Sequence, residues 1–148
     1  MPSFKDLKRL EKFLQEKINN ALISDVADTV REVEIRQIEE TVYDAYTPKM
    51  YRRRGNWGGL ADPHNIEAEV IDDGVLKVWN ETPPNEDYDH SRLTSKFIDV
   101  AVETGREYTF FSPGPRPFTK NTADELREKE QHISALVKGL RRQGITIK

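Results

Sequence analysis

The chain has 148 residues, a formal net charge of −3 and no cysteine, so a single domain over residues 1–148 is expected and disulfides and thiolate metal sites are excluded. Apolar residues make up 36%, or about 41% with the eight glycines added, and charged residues 33%, against roughly 45–50% (glycine included) and about 25% in ordinary globular domains. The interior is therefore thin for the length, which suits either long solvated helices or a subunit that buries surface against copies of itself. No apolar run approaches a membrane span, and the amino terminus is charged from Lys5 onward, so the expectation is a soluble protein made in the cytoplasm, with no membrane partner.

In chain order, Phe4, Leu7, Leu10, Phe13 or Leu14, and Ile18 recur at helical spacing, with Ser3 as the expected N-cap and Asp6 near the positive end of the dipole. After a weak break at Asn19-Asn20, Leu22, Val26, Val30, Val33, Ile38 and Val42 mark a second helix ending before Pro48; the two stretches can also be read as one long helix. Its opposite face carries Arg31, Glu32, Arg36 and Glu40, with Glu32 and Arg36 spaced as an i,i+4 pair. Residues 47–65 form an irregular Gly-rich loop, of a length that is usually functional or mobile.

A β-hairpin follows. Residues 66–71 and 75–80 flank Asp72-Asp73-Gly74. A three-residue turn with Gly74 left-handed sets Val70 opposite Leu76 and Ala68 opposite Val78 on one face, with Glu69 opposite Lys77 on the other. A two-residue turn mixes apolar with charged, so the first register is expected. It leaves Trp79 on the polar face beside Glu67, where a partner explains the ring better than a core. Residues 81–92 form an acidic loop, and Leu93 to Ala101 suit a short helix stopped by Gly105, although Val100 and Val102 also permit a strand. Thr122 and Glu125 resemble a capping box opening a long C-terminal helix, with Leu126, Ile133, Leu136, Val137 and Leu140 as its stripe and Gly144 as its stop. Ile145–Lys148 could add an edge strand. The class is α+β: two N-terminal helices, a central antiparallel hairpin or small sheet, and a long C-terminal helix packed on it.

Candidate chemistry is sparse. His64, His90 and His132 sit on separate elements without a second ligand at a metal-binding spacing. Glu67 and Glu69 share a strand face, but Lys77 opposes them and no cleft is implied. Gly55, Gly58 and Gly59 lack the Gly-Lys-Ser/Thr of a phosphate loop. No catalytic residue, metal or cofactor is expected. The stretch from Lys49 to Gly59, with Tyr51, Arg52, Arg53, Arg54 and Trp57, is the one that could serve a small nucleic-acid-binding module, arginines meeting phosphate and aromatics stacking. An interface loop is the favoured reading. The basic cluster at 49–54 and the acidic one at Glu81, Glu86, Asp87 and Asp89 could then meet between subunits.

The layout resembles the tail-component, or tail-completion, proteins of long-tailed bacteriophages, which help form the neck between head and tail. The likeness rests on two N-terminal helices, an Arg-rich loop ending in Gly58-Gly59-Leu60, the hairpin, Val102-Glu103-Thr104-Gly105, and a Pro115-Arg116-Pro117-Phe118 turn into the last helix. Tyr51-Arg52-Arg53 and Gly58-Gly59-Leu60 look like the version in phages of Gram-positive hosts. Arg54-Gly55-Asn56-Trp57 stands where many members have Asp-Thr-Gly, and the 81–92 loop is enlarged. The resemblance implies a non-enzymatic virion part, assembled as a homo-oligomeric ring of six copies rather than twelve. It would contact head-completion or connector proteins on one side and the tail terminator or tail tube on the other. On this reading Phe118 anchors the turn in the core, and Glu103 and Arg116 hold it by an ion pair or backbone hydrogen bonds beside Gly105 and Pro117. Tyr51, Arg52, Arg53, Arg54, Trp57, Trp79, Glu86, Asp87 and Tyr88 are the expected interface residues, and Arg52–Arg54 could alternatively touch packaged DNA without sequence preference.

Overall fold

Leu7 to Tyr43 form one uninterrupted helical rod in the computed structural model, which describes residue 3 and residues 5–44, 57–83, 102–103 and 115–148. At 1.5 Å per residue the rod is about 55 Å long. It starts at Asp6 rather than Ser3: Asp6 is extended and its Oδ1 accepts the Arg9 N–H at 2.9 Å, the side-chain-to-N3 bond that closes a helix start. The rod comprises α1 (Leu7–Ala21), a π-helical turn (Leu22–Val26), α2 (Ala27–Ile38) and a second π turn (Glu39–Tyr43). Asn19-Asn20 does not break it. Asn19 instead receives the hairpin: its Oδ1 accepts the Gly74 N–H at 3.0 Å and its Nδ2 donates to Asp73 Oδ1 at 3.1 Å.

The expected stripe faces inward, with Leu22, Val26, Val33, Ile38 and Val42 buried. Each π turn adds a residue to its loop of backbone bonds and so rotates the stripe, which otherwise drifts around a straight helix. The Glu32–Arg36 pair is not made. Arg36 reaches across to Glu125, and Arg31 bonds Asp28 and the Ile66 carbonyl.

The hairpin, β1 (Ile66–Asp72) and β2 (Val75–Asn80), takes the register with Val70 opposite Leu76, Ala68 opposite Val78, Glu69 opposite Lys77 and Glu67 opposite Trp79. Gly74 sits at φ 74°, and the pairing shifts by one residue between Val70 and Asp72. A left-handed residue closing a bulged turn is the geometry glycine takes without steric cost.

The C-terminal region is two helices, not one. α3 (Phe118–Lys129) and α4 (Gln131–Arg142) are separated by Glu130, which is left-handed at φ 53°. Thr122 is interior to α3, its Oγ1 bonding the Phe118 carbonyl one turn back, so Thr122 and Glu125 form no capping box. The helix starts four residues earlier, where a different carboxylate caps it. α4 ends as expected at Gly144 (φ 85°). The Gly144 N–H bonds the Arg141 carbonyl, and the Ile145 N–H bonds that of Leu140, the paired bonds of a Schellman stop. Ile145–Lys148 forms no strand; among the described residues the sheet has two strands.

Both helices dock on the rod. α3 lies against α2, and Phe118 joins Ile38, Val42, Leu60, Ala61 and Val102 in one cluster. α4 crosses at the first π turn, where Leu22, Val26 and Ala135 are buried and Ile18, Val30, Val70, Leu76 and Leu136 are partly covered. The buried residues of α4 are small, Ala135 and Gly139, and Leu136 of the expected stripe packs beside them, while Ile133 stays exposed. A Cβ built on Gly139 would stand 2.8 Å from Ala21 Cβ and 2.6 Å from Asp25 Oδ2. Ala21 is fully buried and Asp25 is held by Arg142 at 2.8 Å, so neither yields easily. Gly139→Ala gains roughly 1 kcal/mol of helix propensity but overpacks the contact by about 1–3 kcal/mol. A lower urea midpoint with unchanged slope is expected, and a higher midpoint would contradict this packing.

Candidate functional site

The described parts of the turn motifs meet at one place. Residues 102–103, the Arg116–Phe118 turn and the Gly58–Ala61 turn converge beside the second π turn of the rod. The Arg116 N–H bonds the Val102 carbonyl at 3.0 Å, and the Phe118 N–H bonds the Arg116 carbonyl at 2.9 Å. Phe118 is 0% exposed, and Arg116 is buried with it. Pro117 precedes α3 without offering any side-chain cap. Glu103 supplies it instead: Oε2 accepts the Thr119 N–H at 2.8 Å and Oε1 the Lys120 N–H at 3.1 Å. These are the second and third amides of α3, two of the four donors that a helix start leaves unpaired, met here by a negative charge at the positive end of the dipole. Glu103 thus ties the chain before the 104–114 segment to the helix after it.

The Gly-Gly-Leu turn is built from both sides. Asp62 Oδ2 accepts the Gly58 N–H at 2.7 Å, and Oδ1 accepts the His64 N–H at 2.9 Å. Asn65 Nδ2 donates to the Gly59 carbonyl and Asn80 Nδ2 to that of Leu60, each at 2.9 Å. The His64 amide, with further help from the Gly58 amide and the His64 ring, holds the Asp62 carboxyl below its usual range against the opposing effect of burial. The described half of the 47–65 loop is therefore ordered by hydrogen bonds, with a short 3₁₀ turn at Pro63–Asn65. Leu60 packs down, whereas Trp57 stands 89% exposed at its edge. Trp79 is partly covered by its own chain: Lys77 Nζ lies 4.6 Å from the ring centroid, and Nε1 donates to Glu81 Oε1 at 2.7 Å. His64 is exposed beside Asp62. No group of three or more possible metal ligands occurs among the described residues. Tyr51, Arg52, Arg53, Arg54, Glu86, Asp87, Tyr88, His90 and Gly105 lie outside the described residues, as do most of 81–92 and the expected 93–101 helix.

Glu125 is the residue that sequence reasoning misplaced. It is buried between α2 and α3, where Arg36 and Gln37 of the rod, Lys129 one turn on, and Gln131 at the start of α4 all donate to it. Beside it lies a polar cleft of about 300 Å³, with Glu40, Asn121 and Asp124 among its lining residues. Burial pushes the Glu125 carboxyl up, but the bonds from Gln37, Gln131 and Lys129 and the charge of Arg36 overcome it and bring the pKa to about 2, from 4.5. A local signal for this role was absent, because every partner except Lys129 lies on another element.

The YomN family model matches residues 6–142, from the cap of α1 to the last residue of α4. The chain belongs to the YomN family. It is 33% identical over 114 residues to the SPbeta prophage-derived uncharacterized protein YomN of Bacillus subtilis (strain 168), an alignment covering 73% of this chain and 70% of the relative. No solved structure matches. The YomN-family match takes in the rod, the hairpin, the Glu103–Phe118 join and both C-terminal helices.

Two outcomes follow from the carboxylates. Glu125 has a folded pKa depressed below its unfolded value, so its contribution to stability is complete above about pH 5 and is lost as pH falls towards 2. Glu125→Gln should cost about 1.5–3 kcal/mol at pH 7, the range for hydrogen bonds to a charged group, and the gap to wild type should close in urea titrations taken stepwise down to pH 2. Glu103→Ala should cost roughly 0.5–2 kcal/mol, as loss of an N-cap does, with hydrogen exchange accelerating first at the Thr119 and Lys120 amides.

Proposed function

We propose that this chain is a structural virion protein of a tailed bacteriophage, a tail-completion or neck component that joins the tail to the head connector as a ring subunit. Family membership with a prophage-derived relative supports the phage origin. The observation that carries the finer reading is the convergence at Phe118. The Gly58-Gly59-Leu60, Glu103 and Arg116-Pro117-Phe118 elements, on which the resemblance to tail-completion proteins rests, pack into one cluster and its cap. A motif set spread over sixty residues of sequence is accounted for by one joint that orients α3 on the rod.

In this reading the protein turns over no substrate and needs no cofactor. It works by shape, in the neck of the virion after assembly in the host cytoplasm. Six copies are favoured over twelve. Head-completion or connector proteins are its partners on one side, and the tail terminator or tail tube protein on the other. The 47–65 and 81–92 loops, with exposed Trp57 at the described end of the first, are assigned to contacts between subunits and rings. Arg52–Arg54 would face either a neighbouring subunit or the packaged DNA.

The test is deletion of the gene from an inducible phage. Lysates should contain DNA-filled heads and finished tails that fail to join. Supplying the purified protein should restore plaque titre, and antibody should label the neck of intact particles. Normal particles without the protein, or its absence from purified virions, would overturn the assignment.

A further inference from the structure

Every acidic residue of the chain lies at or before Glu130. Residues 131–148, which make up α4 and the tail after it, hold Lys138, Arg141, Arg142 and Lys148 and no acid, although the whole chain carries a formal charge of −3. Charge divided this sharply along a chain points to nucleic acid or a membrane surface as partner. Placement in the last turn, beside the negative end of the helix dipole, accounts for Arg141 and Arg142. It accounts for neither Lys138, one turn earlier, nor the missing acids.

The fold gathers these charges on one side. At about 100° per residue, Ser134, Lys138, Arg141 and Arg142 fall within about 100° of the circumference of α4, and all four are exposed. Gln131 is the only other residue of α4 in that sector. Arg142 anchors it to the rod, donating to Asp25 Oδ2 at 2.8 Å and to Ser24 Oγ at 3.2 Å. Arg141 donates to the Ile147 carbonyl at 3.3 Å, which folds the tail back and brings Lys148 beside it. The acids of the rod are already engaged: Asp25 by Arg142, and Asp28, one turn on, by Arg31 at 3.1 Å. Glu130 lies about 12 Å from Lys138 along the helix axis. Lys138, Arg141 and Lys148 make no ion pair among the described residues.

The chemistry of this sector selects among polyanionic partners. It contains no apolar side chain. A lipid surface needs apolar groups to bury beneath its headgroups, and a protein interface needs a dry apolar centre inside its polar rim. Guanidinium, ammonium and hydroxyl groups in a row are instead the groups that meet phosphate oxygens, and nucleic-acid interfaces are polar and strongly cationic. Ser134 to Arg142 covers about 12 Å of helix axis, the length of three or four phosphates on one DNA strand. We propose that this side of α4, together with Lys148, binds the phosphate backbone of duplex DNA without reading its sequence. The chain is net negative, so the attraction comes from the patch and not from overall charge. The inference rests on the neck reading only for the identity of that DNA as the packaged genome, and it makes α4 the element turned toward the channel.

Fluorescence anisotropy of the full-length protein with two labelled duplexes of unrelated sequence tests it. Both should bind equally, and with three phosphates engaged the affinity should fall roughly 40-fold between about 50 and 200 mM salt. Lys138→Glu with Arg141→Glu should weaken binding at least tenfold at the lower salt and flatten that dependence, with unchanged circular dichroism. Lys138→Ala with Lys148→Ala, which removes no side-chain hydrogen bond among the described residues, should weaken it about fivefold. Lys138→Arg with Arg141→Lys should bind as wild type does. Alanine at Arg52, Arg53 and Arg54 together should leave the affinity within about twofold. Arg142 stays in every variant because it holds Asp25. No binding at the lower salt, binding indifferent to the charge reversal, loss in the Arg52–Arg54 variant alone, or capture by anionic lipid vesicles in place of DNA would each overturn the proposal. Virion content tests the neck assignment separately: a protein present in particles but indifferent to DNA sinks this face alone, and a DNA-binding protein absent from virions sinks the neck alone.

Discussion

Burial of Phe118 against the second π turn of the rod is the contact on which the architecture turns. The ring is fully buried and packs with Ile38, Val42, Leu60, Ala61 and Val102, residues from three separate stretches of chain. Taking a phenylalanine out of water is worth about 1.5–3 kcal/mol, which alone would not fix a direction. Direction comes from what flanks it. Pro117 restricts the backbone on entry, the Arg116 amide is tied to Val102, and Glu103 holds the first free amides of α3. A non-directional force gathers these segments, and a few directional bonds then leave the helix one way to lie.

The same division of labour recurs along the rod. α3 is secured again by Glu125, which takes bonds from both sides of its interface with α2. α4 is secured by Asp25, whose carboxylate accepts from Arg142 and Ser24. Asp25 is held below its usual range first by the bond from Arg142. Each carboxylate therefore stays ionised at neutral pH, and each sits where a helix must be held at a chosen height. The apolar clusters are small, and in a thin core the polar pins carry more of the specificity. Leaving such a group unpaired costs more than the pair contributes, so the interfaces resist sliding.

What was legible in the sequence was what is decided locally. The hairpin register follows from side-chain alternation and from Gly74, because a slip of one residue would turn Val70 and Leu76 outward. The rod's stripe and the Gly144 stop follow from neighbours within one or two turns. The capping box at Thr122 and Glu125 had the right spacing, but Glu103, at a distance in sequence, already satisfies the helix start, and Glu125 is drawn to Arg36 instead. The break at Glu130 carries no glycine or asparagine to announce it. The α4 stripe was legible at Leu136, which packs at the first π turn, but its closest contact was not, because close helix approach selects Gly139 and Ala135 for being small. The π turns have no compositional mark. The convergence of Gly58–Leu60 with Glu103 and Phe118 was visible as a set of motifs, but their meeting in space was not.

The two clusters also differ in how completely they are closed. Among the described residues, the Phe118 cluster has six buried members, Phe118 included. The cluster at the first π turn has three, with five more only partly covered. The looser cluster is the one that holds the hairpin and the last turn of α1. The firm cluster fixes the direction of α3, whereas the hairpin is held as much by the two Asn19 bonds at its tip as by its few apolar contacts.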